Sequence, residues 1–337
     1  MGVASCVAVF QSTRSPILAS AILILAMTPI GAESRLGDPA VPTQPQTRDP
    51  KSAPNMRADI RVDGTLVLIP VTVTDTFNRL VTDLVKEDFQ VFEQSKEQKI
   101  LSFGSDDTPV SIGLVFDCSG SMENKLAKSR AAVAALLQTA NQEDEFFLVE
   151  FNDRVRLAQP FTMQAREIES HLESAKAKGA TSLLDAVWLA LREMKEARNP
   201  RKALVIVSDG GDNNSRYTER EIENLVKEAD VQVFAIGIFG YRDPHFPAPE
   251  EEAGPGLLSR IAAQTGGRQY SVAKLDDLPD LAAKIGVALR HGYILGYTPQ
   301  DLPHNGKYRR VDVKLKRSGR SQKLRTSWRH GYFAPAN

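Results

Sequence analysis

Between residues 110 and 290, short apolar runs alternate with longer stretches of helical periodicity. The apolar runs are Ile112–Phe116, Phe146–Phe151, Ala203–Val207, Val231–Ile238 and Arg268–Val272. Helical spacing of apolar residues appears near 124–140, 164–175, 183–197, 219–229, 256–265 and 277–290. Strands that are apolar on both faces and alternate with helices are typical of a mostly parallel sheet covered on each side. Residues 108–291 are therefore predicted to form a doubly wound α/β domain with a Rossmann-like sheet.

The two flanks of this domain have a period of two instead. Residues 58–107 contain short β-rich runs separated by polar turns, and in residues 292–337 Val311, Val313 and Leu315 alternate with charged side chains. Each flank is too short to bury a stable core by itself. We predict that the N-terminal and C-terminal β segments pair into one small β-sandwich-like domain, with the α/β domain inserted between them.

The N-terminal region has the composition of a targeting signal followed by a linker. Arg14 is the only charged residue in 1–32, and the apolar run Ile17–Met27 fits a signal-peptide core but falls short of the roughly 20 residues of a membrane-spanning helix. Residues 1–32 are predicted to be a signal peptide cleaved after Ala32, with an uncleaved anchor as the alternative. Residues 33–57 are predicted to be a Pro-rich linker. The predicted location is secreted, or in the periplasm and cell envelope.

Charge and composition exclude several classes of protein. The 337 residues include 42 Lys+Arg and 42 Asp+Glu, so no basic excess favours nucleic acid as a partner. Of the two cysteines, Cys118 alone would remain after removal of the signal, so the fold must be stabilised by its core rather than by disulfides. The five histidines show no metal-ligand spacing, and no Ser/His/Asp set or phosphate-binding glycine loop is evident.

Polar residues follow the ends of two predicted strands and precede one predicted helix. Asp117, Ser119 and Ser121 follow the first apolar run, Asp209 follows the third, and Thr181 precedes the helix that starts near residue 183. Parallel α/β sheets bind ligands beyond the carboxyl ends of their strands, so these five side chains are expected to converge. Two carboxylates and three hydroxyls without His or Cys suit a hard cation, Mg²⁺ before Ca²⁺, and not Zn²⁺.

This pattern resembles the metal-ion-dependent adhesion site (MIDAS) of von Willebrand factor type A (VWFA) domains. The parts of the pattern stand in that family's order and at its strand and loop positions: first the motif Asp117-x-Ser119-x-Ser121, then Thr181, and then Asp209 followed by glycine. The resemblance implies that the three hydroxyl residues are metal ligands and that the two aspartates bind directly or through water. It also implies Mg²⁺ as the cofactor, with Ca²⁺ or Mn²⁺ as alternatives, and a partner carboxylate that fills the open coordination position.

Segments of both flanks extend the resemblance. Leu84–Glu93, Tyr293–Pro299 and Arg329–Pro335 are similar to parts of a bacterial family of secreted VWFA-related proteins. This family resemblance supports the fold and the metal site more than it supports a particular biological role.

The favoured function is a secreted protein-binding or adhesion module, not an enzyme, that recognises an exposed Asp or Glu of its partner through a bound divalent cation. One alternative is a Mg²⁺-dependent phosphohydrolase with Asp117 as nucleophile, although Ser119 stands where such enzymes carry a second Asp. Another is a structural protein of the cell envelope. Residues 301–332 contain ten Lys+Arg against two Asp, so contact with anionic envelope polymers through this basic segment is a further alternative.

Smaller predictions concern the surroundings of the site. Ser182–Asp185 and Thr218–Glu221 both fit the capping-box pattern, so Asp185 is expected to cap a helix rather than bind a metal. Gly240–Gly256, with its prolines and glutamates, is expected to be a loop. Cys118 is expected to be a buried, small apolar residue.

Overall fold

The computed structural model describes residues 66–77, 79–105, 108–239, 249–272, 274–300, 305–316 and 323–335; the predicted signal peptide and Pro-rich linker lie outside these ranges. The strands are β1 (Val67–Thr74), β2 (Phe89–Glu93), β3 (Lys96–Gln98), β4 (Ser102–Gly104), β5 (Val110–Asp117), β6 (Glu145–Phe151), β7 (Val155–Thr162), β8 (Arg201–Ser208), β9 (Gln232–Gly237), β10 (Gln269–Ser271), β11 (Tyr293–Tyr297), β12 (Tyr308–Leu315), β13 (Arg325–Trp328) and β14 (Gly331–Phe333). The helices are α1 (Leu126–Leu137), α2 (Ala165–Ser174), α3 (Leu183–Glu193), α4 (Glu219–Glu228), α5 (Pro249–Gln264) and α6 (Leu278–Arg290). None of the described helices has the length and apolar character needed to cross a membrane.

A six-stranded sheet in the order β10-β9-β8-β5-β6-β7 forms the centre of the α/β domain. Its pairings are parallel except that of β6 with β7. Every residue of β5 is buried, and its alternate side chains enter two cores. Leu114 and Phe116 pack in the core shared with α1, α2 and α6, whereas Val115 packs in the core shared with α3, α4 and α5. The predicted doubly wound, mostly parallel α/β fold is confirmed.

Two elements differ from the sequence-based prediction. The edge strand β7 was not predicted because it is half exposed and contains Pro160, so it lacks the apolar run of the inner strands. The prediction of a loop over Gly240–Gly256 is wrong from residue 249 onward, where α5 begins, and its first part, 240–248, lies outside the described residues. Pro249 stands at the first helical position, where proline is favoured because the amide it lacks would have no partner within the helix.

The strands of the two flanks pair with each other. One four-stranded sheet has the order β13-β1-β11-β4 and the other β14-β12-β2-β3, so each sheet combines strands from before and after the α/β domain. Side chains of both sheets share one core, which includes Ile69, Val91, Tyr293 and Val311. On these pairings we propose that the α/β domain is an insertion between two halves of a β-sandwich.

Arg201 connects the start of β8 to the chain that leaves the α/β domain. Its buried guanidinium donates to the backbone carbonyls of Leu289, Arg290 and Gly292, at the C-terminal end of α6. Carbonyls at a helix C-terminus carry partial negative charge, so a cation there is stabilising. This contact holds in place the segment that leads from α6 to β11.

If the insertion is an independent unit, residues 108–294 expressed alone should unfold cooperatively, because this segment keeps both cores and all three acceptors of Arg201. Circular dichroism during heating measures this transition.

Within the segment, Arg201→Met should lower the free energy of unfolding by about 2–4 kcal/mol, since three carbonyls lose a charged donor. The exposed Arg220→Met is the control and should change it by less than about 0.5 kcal/mol. An insoluble segment, or one without a cooperative transition, contradicts the insertion.

Candidate metal centre

Three loops meet at the carboxyl edge of the central sheet, where backbone hydrogen bonds join them. The amide of Gly120, in the loop after β5, donates to the carbonyl of Gly179 at 3.0 Å. The amide of Asn213, in the loop after β8, donates to the carbonyl of Thr181 at 3.0 Å. The segment before α3 is therefore bound to the loops on both sides of it, and the structure brings together the three segments that carry the predicted ligands.

Asp117 ends β5 and is fully buried. Its Oδ1 accepts from the backbone amide of Ser119 at 2.8 Å, and its Oδ2 accepts from the hydroxyl of Ser208 at 2.6 Å. Burial, and after it the negative charge of Asp209, raise the pKa of Asp117 to about 7. The carboxylate of Asp209 is thus close enough to disfavour the ionised form of Asp117.

Asp209 follows β8, and its two carboxylate oxygens differ in their partners. Oδ2 accepts from the ammonium of Lys125 at 2.8 Å, with the two side chains 3% and 5% exposed. Oδ1 is buried and accepts no hydrogen bond from the described residues. A buried carboxylate oxygen without a partner lowers stability, and a bound cation is one way to satisfy it.

The turn that carries Asp209 is held by a close approach between two glycines. Gly210 has a φ of +83°, and a Cβ added there would lie 2.8 Å from backbone atoms of Gly254 in α5. A Cβ on Gly254 would likewise lie 2.7 Å from the carbonyl oxygen of Asp209. Only glycine allows both the left-handed conformation and this contact at low cost, so α5 fixes the position of Asp209 from outside the sheet.

The three hydroxyl residues predicted as ligands lie in the loops that meet at this edge. The Oγ atoms of Ser119 and Ser121 are 3.1 Å apart. Ser119 and Thr181 are buried, whereas Ser121 is exposed at the rim. The described residues contain no group of three or more His, Cys, Asp or Glu that could hold a metal, so a cation at this edge would need hydroxyl oxygens beside the two carboxylates. That donor set, with the unpartnered Oδ1 of Asp209, fits a hard divalent cation.

Asp185 has partners other than those predicted. No side-chain bond from Ser182 caps α3. Instead, Asp185 accepts from the amides of Arg216 and Tyr217 at 2.9 and 3.2 Å, and from Arg216 Nε at 3.0 Å. The capping box predicted here is wrong, because the carboxylate of Asp185 is occupied by three donors from the loop after β8. The box at Thr218–Glu221 is confirmed. Asp185 therefore braces the loop that follows Asp209.

Lys125 belongs to this centre, although the sequence pattern did not single it out. It stands directly before α1, and its ammonium is buried against Asp209. The sequence nevertheless contained an indication that Lys125 has a partner elsewhere in the chain. A lysine at the start of a helix is unfavourable beside the positive helix N-terminus, and the first turn of α1 holds no acidic residue to offset it.

An open cavity with a volume of about 620 Å³ lies beside the centre. Its wall includes Cys118, which is buried and whose thiol pKa is raised by burial, in agreement with its predicted role as a small apolar residue. Basic residues of the wall outnumber acidic ones: they are Arg154, Arg156, Lys176 and Lys178 against Glu150 and Asp153. Arg156 pairs with the buried Glu150, so the remaining exposed charge is mainly positive.

Residues 112–211 match the sequence model of the von Willebrand factor type A domain, a range that contains all five predicted ligands. Inter-alpha-trypsin inhibitor heavy chain H2 of Sus scrofa is 28% identical over 149 residues, which cover 40% of this chain and 16% of that protein. An uncharacterized protein of Borreliella burgdorferi is 25% identical over 200 residues, covering 53% of this chain and 57% of that protein. The chain thus aligns with less than two thirds of either relative.

Solved structures with a similar fold include a von Willebrand factor type A protein of Catenulispora acidiphila, with a TM-score of 0.48 and 12% identity over 82% of this chain and 75% of that chain. The vWF domain of the type V pili tip protein Mfa5 of Porphyromonas gingivalis has a TM-score of 0.42 and 12% identity over 54% of this chain and 94% of that chain. At such identities the likeness concerns the fold alone.

The raised pKa of Asp117 predicts how the stability of the metal-free protein depends on pH. Between pH 3.8, which is the ordinary pKa of this group, and about pH 7, Asp117 is protonated in the folded protein but ionised in the unfolded chain. The contribution of this group is therefore fully present below about pH 4 and is lost as the pH rises to about 7. Its slope is at most about 1.4 kcal/mol per pH unit.

Urea unfolding in chelator between pH 4 and 8 measures this effect as the difference between the parent protein and Asp117→Asn, which has no proton to lose. The stability of the parent should fall relative to the variant as the pH rises. A constant difference across this range contradicts the raised pKa of Asp117.

Proposed function

We propose that this chain, which is a von Willebrand factor type A domain protein, is a protein-binding module that recognises an acidic side chain of its partner through a divalent cation. The observation that carries the proposal is the buried oxygen set at the sheet edge, in which Asp209 Oδ1 has no partner among the described residues. The proposed ligands are Asp117, Ser119, Ser121, Thr181 and Asp209. Type A domains generally act in protein–protein recognition, and an adhesive role for this chain is our extension of that property.

The proposed cation is Mg²⁺, with Ca²⁺ or Mn²⁺ as alternatives, because all the donors are oxygens. When bound, it supplies a concentrated positive charge and an open coordination position for an oxygen of the partner. The chain's own residues would bind the cation from inside the protein and leave its outer side open to the partner. Asp117 and Asp209 lie buried beneath the site, and Ser121 is exposed where a partner would approach.

The cavity beside the centre supports an acidic partner. Arg154, Lys176 and Lys178 are exposed on its wall, and Cys118 and Gly179 connect the wall to the loops of the proposed site. A partner whose carboxylate reaches the cation would place its neighbouring residues against this positively charged surface. Complementary charge there raises the association rate and favours acidic partners over neutral ones.

Two observations disfavour the phosphohydrolase alternative. The side chain of Asp117 is fully buried, so a phosphate ester, which is much larger than a single cation, could not reach its oxygens without a rearrangement of the loops around it. Ser119 occupies the position of the expected second acid. Phosphatase assays of the parent protein and of Asp117→Asn should therefore show the same background activity, and a specific loss in the variant would favour the enzyme.

Contact of the basic C-terminal segment with anionic envelope polymers stays a prediction, and two observations reduce the charge available for it. Arg309 pairs with the buried Glu93, and Arg329 pairs with Asp230 at 2.6 Å. We propose a secreted or cell-envelope location on the composition of residues 1–32, which lie outside the described residues.

Mg²⁺ at about 100 times its dissociation constant should stabilise the parent protein by about 2.7 kcal/mol relative to chelator and so raise its thermal midpoint. Asp117→Ala and Asp209→Ala should remove this shift. Ser121→Ala is the sharper variant because Ser121 is exposed, so loss of its hydroxyl should weaken Mg²⁺ binding without disturbing the core. Differential scanning calorimetry measures all four proteins.

Glu123→Gln is the matched control for charge. Glu123 is exposed in the same loop as Ser121 but is not a proposed ligand, so its variant should keep the full Mg²⁺ shift. The absence of any shift in the parent protein counts against the proposed function, and a shift that survives in Asp209→Ala counts against the proposed ligands.

Partner binding should depend on the cation and on the charged cavity separately. In capture from envelope extract, a specific partner should bind in Mg²⁺ and be released by chelator. The double variant Arg154→Glu with Lys178→Glu should capture at least about tenfold less of it while keeping the Mg²⁺ stability shift. Lys195→Glu, an exposed charge reversal beyond the far end of α3, is the control and should capture normally. Equal capture by both variants would exclude the cavity from the interface.

A further inference from the structure

Lys125 places a full positive charge inside the proposed metal centre. Its Nζ lies 2.8 Å from Asp209 Oδ2, and its side chain is only 5% exposed. Lysine is almost never this buried unless it is paired. Its backbone position is also fixed, because its amide donates to the carbonyl of Met122 at 2.9 Å and its carbonyl accepts from the amide of Ser129 at 3.0 Å.

The first turn of the helix that follows gives no compensation for this charge. Lys125 precedes α1, at the positive end of the helix, and the first turn of α1 contains no acidic residue. The partner is instead Asp209, 84 residues away in the chain. The charge of Lys125 is therefore balanced by a carboxylate of the proposed metal centre and not by a residue in the first turn of α1.

Asp209 can serve Lys125 and a metal at the same time because it uses different oxygens. Oδ2 accepts from the ammonium, and Oδ1 has no partner among the described residues. We propose that Lys125 is a permanent counter-ion of the centre, which supports the paired carboxylates when no metal is bound and lowers the affinity of the centre for divalent cations. This inference rests on the proposed function, since it assumes that the centre binds such a cation.

The charges give the direction of the effect. Asp117 and Asp209 contribute two negative charges when both are ionised, and Lys125 offsets one of them, so a divalent cation meets a net charge of about −1 instead of −2. Removal of the ammonium should therefore increase the affinity for the cation. With Lys125 in place, the loaded centre keeps a net positive charge, which is the sign that attracts a partner carboxylate.

The test compares the affinity of Mg²⁺ for four full-length proteins by isothermal titration calorimetry: the parent, Lys125→Met, Lys125→Arg and Lys128→Met. Methionine keeps the length of the side chain without its charge, and arginine keeps the charge. Lys128 is a matched control because it lies in the first turn of α1 but is 48% exposed and pairs with Asp276 outside the centre. Thermal midpoints in chelator are measured for the same proteins.

We expect Lys125→Met to bind Mg²⁺ at least about tenfold more tightly than the parent while its thermal midpoint in chelator falls. Lys125→Arg and Lys128→Met should stay within about threefold of the parent. A role of Lys125 in packing alone would lower the midpoint but would not tighten Mg²⁺ binding. Unchanged or weaker binding by folded Lys125→Met overturns the proposal.

Lys125→Gln serves if the methionine variant does not fold, because its amide can still donate to Asp209 without a charge. The same tightening is expected. The pattern across variants separates the two hypotheses. If the parent binds Mg²⁺ and neither neutral variant binds it more tightly, only the counter-ion role of Lys125 is overturned. If a neutral variant binds Mg²⁺ and the parent does not, the counter-ion role is supported and the proposed function is overturned. If none of the proteins binds Mg²⁺, both are overturned.

Discussion

Two carboxylates buried at the ends of neighbouring parallel strands are the constraint on which this edge of the molecule depends. Pairing of β5 with β8 brings Asp117 and Asp209 together, where burial, and after it the negative charge of Asp209, raise the pKa of Asp117. The chain offsets these effects with neutral donors on Asp117 and with the ammonium of Lys125 on Asp209. One oxygen, Asp209 Oδ1, remains without a partner among the described residues, and there we propose that the cation binds.

The scaffold is arranged so that these groups have little freedom to move apart. The two aspartates follow strands whose faces are covered by helices, and the glycine contact between Gly210 and Gly254 holds the turn of Asp209 against α5. Asp185 braces the same loop through two backbone amides. A site held in this way loses little entropy when a ligand binds, which suits recognition by a single cation and a single carboxylate.

The fold and the proposed ligands could be predicted because they depend on local patterns. Doubly covered strands are continuously apolar, and the rule that ligands bind beyond strand ends selects Asp117 and Asp209 without knowledge of any contact. What was missed depends on contacts distant in sequence. Lys125 reaches its partner 84 residues away, and the side chain of Asp185, within α3, accepts hydrogen bonds from a residue 31 positions away. The edge strand β7 was missed because a half-exposed strand with one neighbour carries little apolar signal.

The most direct test of the central claim is a crystal structure of the protein grown with Mn²⁺, which replaces Mg²⁺ at oxygen sites and gives an anomalous signal. We predict one strong anomalous peak at the carboxyl edge of the central sheet, about 2.0–2.3 Å from the hydroxyls of Ser119 and Ser121, on the side of Asp209 where Oδ1 lies. Lys125 should still contact Oδ2 of Asp209. The absence of a peak at this edge in well-diffracting crystals, or a peak only elsewhere, would contradict the claim that these carboxylates and hydroxyls form a cation site.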